Sequence, residues 1–200
     1  LTLDHARKSG AAHKALITFT FNRVSQGLYM RHGMFPRTPI YFFDAVRLRM
    51  KEKLPAPPLR GVPIDGGDAT MKTLAGIDAR AIGVSREKHH RYLIEDPATR
   101  GLLLHAGAAC VGYFYVGSNG HIGPLAVIDD MFLGDALMTA LNVAADGASE
   151  KISAFLPGSC DTALTAAVGH GMRITFPMLL MASPGYASWT GYLPRNPGFM

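Results

Sequence analysis

The chain has 200 residues, 48% hydrophobic and 18% charged, with a formal net charge of +5, which is apolar material for one domain of ordinary size and a remainder. Cys110 and Cys160 lie fifty positions apart without a CxxC or CxxH neighbour, so neither a disulfide framework nor a zinc site is indicated and a reducing cytoplasm is the expected setting. No apolar run approaches the roughly 20 residues of a membrane helix, and the basic residues are scattered without interleaved aromatics, so neither a membrane nor nucleic acid is an expected partner.

The chain opens on Leu1 rather than on an initiator methionine, so truncation or processing is expected. In chain order, ALITFTF (15–21) reads as a strand, a helical stretch follows, RHGM (31–34) makes a glycine turn, and TPIYFF starts another strand. Prolines and charge over 51–58 mark a linker. A short strand over Leu59–Ile64 then leads to helices over Ala69–Ala81 and Ser85–Glu95, with Ser85 as the expected cap and Pro97 as the stop. Three strands follow at 101–107, 109–117 and 121–128, joined by Ala-Gly and Ser-Asn-Gly turns. An amphipathic helix over Leu133–Ala145, a strand at 151–157, a helix ending in AAVGHGM and a last strand, ITFPMLLMA, complete an α/β unit with a mixed sheet.

His32-Gly33-Met34 and His170-Gly171-Met172 are 138 positions apart, and the order strand, helix, glycine turn, strand surrounds both. The expected organisation is half of a first domain (1–50), a linker (51–58) and a second, complete domain (59–200).

This order, together with the run FNRVSQGLYMRHGMFPR, resembles the GNAT superfamily of N-acetyltransferases, whose late helix carries an asparagine, a small residue three later, Leu-Tyr and a Gly-apolar turn. Here those are Asn22, Ser25, Leu28-Tyr29 and Gly33-Met34. The start Ile122-Gly123-Pro124 resembles the C-terminal domain of tandem members. The resemblance implies an acyl-CoA N-acyltransferase fold: a central mixed, twisted sheet flanked by helices.

The resemblance also implies the chemistry. Tyr29, four residues before the turn glycine, would be the general acid that protonates the departing thiolate, a sensible donor with an ordinary pKa of about 10. Asn22 would hold the cofactor arm. The backbone N–H groups over Leu125–Ile128, Ile128 included, would polarise the thioester carbonyl. Gly134 and Ala136 match the small residues of the pyrophosphate cradle, whereas Met131 replaces its usual Arg or Gln. Asp129, Asp130 and Asp135 either repel phosphate or merely cap the helix. In the second copy Ala167 and Cys160 stand where the acid and the asparagine would be.

Other residues read as structural. His89 and His90 are helix neighbours whose side chains diverge by about 100°, so they do not share a metal, and no metal is expected anywhere. His32 and His170 are expected to finish helices, and Trp189 and Tyr192 to pack on the sheet. The expected function is transfer of an acetyl group from acetyl-CoA to the amine of a small or amine-bearing substrate, with a degenerate second domain. The alternative is a non-catalytic GNAT-like binding or dimerisation module, and exchange of residues 1–50 between copies would give a homodimer.

Overall fold

In the computed structural model, which describes residues 8, 10, 13–52, 54–187 and 189–198, the described strands join in one sheet. The elements run β1 (Ala15–Phe19), α1 (Arg23–Arg31), β2 (Phe35–Val46), α2 (Arg47–Lys51), β3 (Arg60–Pro63), α3 (Asp68–Ala81), α4 (Glu87–Glu95), β4 (Thr99–Ala106), β5 (Ala109–Gly117), β6 (His121–Val127), α5 (Leu133–Ala145), β7 (Lys151–Pro157), α6 (Asp161–Gly169), β8 (Arg173–Ala182) and β9 (Tyr192–Leu193). The strand order is β1-β8-β2-β7-β6-β5-β4-β3, with β9 paired to β6. The mixed sheet flanked by helices is the architecture expected from the sequence.

The strands on either side of the expected linker share this sheet, because β2 lies between β7 and β8. Residues 15–46 thus complete the sheet of their own chain. Their pairing follows an internal two-fold. Ile40 faces Met178, its own equivalent at an interval of 138; Phe42–Phe176 is matched by Thr38–Leu180, and Phe35–Ala182 by Asp44–Arg173. The flanking pairs obey the same rule, with Phe19–Met178 matched by Ile40–Pro157 and Leu16–Met181 by Phe43–Ala154. Even the bulges correspond, since Arg37 and Thr175 are the residues left out of register.

The two helix ends explain why the repeat was visible. Gly33 (φ +79°) and Gly171 (φ +87°) occupy the left-handed region that lets a helix close and turn back. His32 and His170 cap the helices at matching backbone angles, and the amides of Met34 and Met172 donate to the carbonyls of Tyr29 and Ala167.

Alternation along the strands divides the core between the two faces. Phe114, Val116, Leu125, Val127 and Leu193 pack with α2, α5 and α6 on one face. Tyr113, Tyr115, Ala126, Trp189 and Tyr192 pack with α3 and α4 on the other. Trp189 and Tyr192 pack against the sheet as expected, and Tyr192 also enters it as part of β9. The start of α4 shifts: it begins at Glu87 with Arg86 as its cap residue, not at Ser85. The backbone N–H of Arg86 donates to Asp78 Oδ2 of α3 (3.1 Å), so a tertiary bond sets the start where local preference favoured serine. No helix among the described residues is long and apolar enough to cross a membrane.

Candidate functional site

Two equivalent places flank the two-fold, one at β7 and α6 and one at β1 and α1, and they differ in what occupies them. At the first, β6 and β7 run parallel and pair only at His121–Ser153 and Ile122–Ala154. Beyond that point the gap holds the chain's own tail: Leu193 and Tyr192 pair with Leu125 and Ala126, and the Val127 N–H donates to the Gly191 carbonyl at 3.0 Å. Close approach requires glycine. A Cβ on Gly123 (φ +142°) would lie 2.8 Å from the Pro194 carbonyl, and one on Gly191 would lie 3.1 Å from that of Val127.

The turn before α6 grips the tail. Ser159 Oγ and Cys160 Sγ both donate to the Trp189 carbonyl at 2.9 Å. Burial pushes the Cys160 thiol up to about 12, which removes it as a nucleophile near neutral pH. His121 Nε2 contacts the Arg195 carbonyl, and Arg195 Nη1 donates to the Gly123 carbonyl at 3.0 Å.

The residues expected to hold the cofactor here are all engaged. The N–H of Ile128 donates to the Val111 carbonyl at 2.9 Å, so with Val127 bonded to the tail neither amide is left for a thioester. Gly134 is the second residue of α5, and a Cβ there would lie in ordinary contact with the Thr162 carbonyl at 3.4 Å, on the side facing α6. Ala136 is fully buried in the core. Neither lines the neighbouring cleft of about 170 Å³, which is bounded by Asp130, Met131, Ser159, Cys160, Asp161, Thr162 and Thr190. Asp129 Oδ1 accepts from the Met131 N–H at 3.0 Å and so caps the short turn before α5. An acyl-CoA arm and its phosphates do not fit this flank: the slot is filled and its mouth is acidic.

The β1 flank is different. β1 is the last strand of the sheet at that end, and no described strand covers its outer edge. Asn22 caps α1, with Oδ1 accepting from the Ser25 N–H at 3.2 Å; its Nδ2 makes no bond to a described residue. Tyr29 is half-buried on α1, which has no fully buried residue, where its equivalent Ala167 of α6 is fully buried against the α5 side of the core. Val24 and Leu28 are 79% and 50% exposed; the counterpart of Leu28, Ala166, packs on the core beside α5, and that of Val24, Thr162, is exposed but borders α5 at Gly134. The structure thus brings Asn22 and Tyr29 together on one helix and keeps Ile128, Gly134 and Ala136 apart from them.

A buried polar cluster beneath α3 and α4 was not foreseen. Asp78 accepts from Tyr113 Oη (2.7 Å) and His90 Nε2 (3.0 Å), and His90 Nδ1 then accepts from Tyr115 Oη at 2.9 Å. Burial, then the Asp78 charge, holds both tyrosines above their usual range. The Arg86 guanidinium sits 4.9 Å from the Tyr192 ring, so the cluster also touches the tail. A hint lay in Asp78 following Leu74 by one turn on the apolar side of α3. No group of three or more His, Cys, Asp or Glu among the described residues is placed to hold a metal.

The sheet with its parted parallel strands is the fold of the GCN5-related N-acetyltransferases. The structure is similar to a Pyrococcus horikoshii protein provisionally assigned as an acetyltransferase (TM-score 0.68, 15% identity, covering 99% of this chain and 64% of that one). It is also similar to GCN5-related N-acetyltransferases of Sphaerobacter thermophilus (TM-score 0.58, 14% identity, 93% and 66%) and Anabaena variabilis (TM-score 0.57, 12% identity, 90% and 48%). The chain therefore spans about half to two thirds of the length of these proteins. No family model and no curated protein matches the sequence.

Proposed function

We propose that the protein transfers an acetyl group from acetyl-CoA to an amine, and that the chemistry belongs to the β1 flank. The observation that supports this most is the tail beside β6. At the β7 flank a peptide lies in the parted strands and Cys160 donates to its carbonyl; at the β1 flank Asn22 stands at the position of Cys160, its Nδ2 unbonded among the described residues. The tail is a stand-in for the amide-bearing arm of coenzyme A, and Asn22 would donate to that arm as Cys160 donates to the tail. The first unit would be completed by a strand paired to the outer edge of β1 and a helix against Val24 and Leu28, the counterparts of β6 and α5. That corresponds to the tandem arrangement, with residues 1–50 as half of the first unit and 59–200 as the second.

In this reading the amine attacks the thioester carbonyl and the C–S bond breaks. The Tyr29 hydroxyl gives its proton to the departing thiolate and is reprotonated through solvent by the proton that the amine sheds. Tyr29→Phe in the full-length protein should lower kcat for thiol release with an amine panel by about 100-fold while KM for acetyl-CoA holds. Unchanged kcat would sink the acid role.

The second unit, with Ala167 in place of the tyrosine and its slot filled, fits the alternative of a non-catalytic module. Calorimetric titration with acetyl-CoA should find one site per chain; two would restore a cofactor to the second unit.

A further inference from the structure

The turns that lead into α1 and α6 carry opposite charge at one equivalent position. Asp161 opens α6 and lines, with Asp130 and Thr190, the acidic cleft at the mouth of the tail-filled slot. The interval of 138 places Arg23 at that position, as the first residue of α1. Arg23 is exposed, the first turn of α1 holds no acidic residue, and Arg23 makes no ion pair among the described residues.

The turn that presents it is held in place. Gln26 Nε2 donates to the carbonyls of Phe19 (3.1 Å) and Thr20 (2.8 Å), the Asn22 N–H donates to the Phe19 carbonyl (3.1 Å), and Thr20 Oγ1 donates to the Pro177 carbonyl (3.4 Å). β1 ends at Phe19 as β7 ends at Pro157, so the two turns have the same length.

We infer that Arg23 binds the phosphate groups of the acyl-CoA co-substrate and so selects a nucleotide-bearing thioester over a bare one. This rests on the reading that the cofactor arm lies along the β1 flank. Where the slot is filled by the uncharged 189–194 stretch of the tail, carboxylates at its mouth are tolerated; where it receives a polyanion, a cation at the same position favours binding. A guanidinium also offers a planar fork to two phosphate oxygens.

The test compares acetyl-CoA with S-acetyl-pantetheine, which has the same arm and thioester but lacks the nucleotide and its phosphates. Arg23→Ala in the full-length protein should weaken calorimetric binding of acetyl-CoA by about tenfold and leave S-acetyl-pantetheine within about twofold. Arg23→Lys, which keeps the charge but not the fork, should recover part of the loss, and Arg23→Glu should exceed it. Equal losses on both ligands, or no loss on either, would overturn the assignment while leaving the cofactor at β1. If the unsubstituted protein binds neither ligand, the cofactor reading falls and the Arg23 assignment with it.

Discussion

Ile40 on β2 and Met178 on β8 pair across the centre of the sheet and are each other's equivalents under the internal two-fold. Ile40 is fully buried and Met178 nearly so, in the cluster that also holds Leu180, Trp189 and Tyr192.

A residue on the axis joins both halves of the repeat, so its loss is felt by both. Ile40→Ala and Met178→Ala should each destabilise the protein by about 2 to 5 kcal/mol in urea unfolding. Because the two are cross-strand partners, the double variant should depart from the sum by about 0.5 kcal/mol or more. Strict additivity would show that the axis is not a packed contact.

The legible parts of the fold were those with local causes. The turns at Gly33 and Gly171 need a residue that tolerates positive φ, so both leave a glycine in the sequence, and the helix over Leu133–Ala145 carries its own apolar stripe. Insertion of β2 between β7 and β8 is a long-range choice with no local mark, and a two-residue strand such as β9 is too short to show a period of two. The candidate site was legible only through its motif. The family resemblance singled out Asn22 and Tyr29, which lie at the cap and on the same helix, whereas Gly134 and Ala136 matched a motif of small residues, and a small residue such as the buried Ala136 also suits a core position.

The stability of the protein should fall on both sides of a plateau near pH 7 to 9. On the acid side, burial above all, with the Arg195 charge, holds His121 below its ordinary value of 6.5. Unfolded His121 takes a proton near 6.5 and folded His121 does not, so the unfolded state gains as pH drops. On the alkaline side, burial holds Cys160, Tyr113 and Tyr192 above their ordinary values. These groups lose protons first in the unfolded chain, so stability declines as pH rises above about 9. Urea midpoints between pH 5 and 11 check both limbs, and His121→Asn should reduce the acid one, with His89 and His105, also held below their ordinary value chiefly by burial, carrying the rest; an acid slope unchanged by the substitution would place its origin elsewhere.

Two buried tyrosines should respond in opposite ways to loss of a hydroxyl. Tyr113 and Tyr192 are both fully buried and both pack on the α3–α4 face. Tyr113 Oη donates to Asp78 Oδ1 at 2.7 Å, and removing it leaves a buried carboxylate short of a donor. Tyr113→Phe should therefore cost about 1 to 3 kcal/mol. Among the described residues Tyr192 Oη has no partner at hydrogen-bond geometry, although the Arg86 guanidinium and an edge-on Trp189 lie beside its ring. Tyr192→Phe retains both ring contacts and relieves an unpaired polar atom, so thermal unfolding should show equal or greater stability, by up to about 1 kcal/mol. A loss beyond about 1 kcal/mol would mean that the hydroxyl has found a donor or acceptor, with Arg86 the nearest candidate, and that the tail is held by a hydrogen bond as well as by packing.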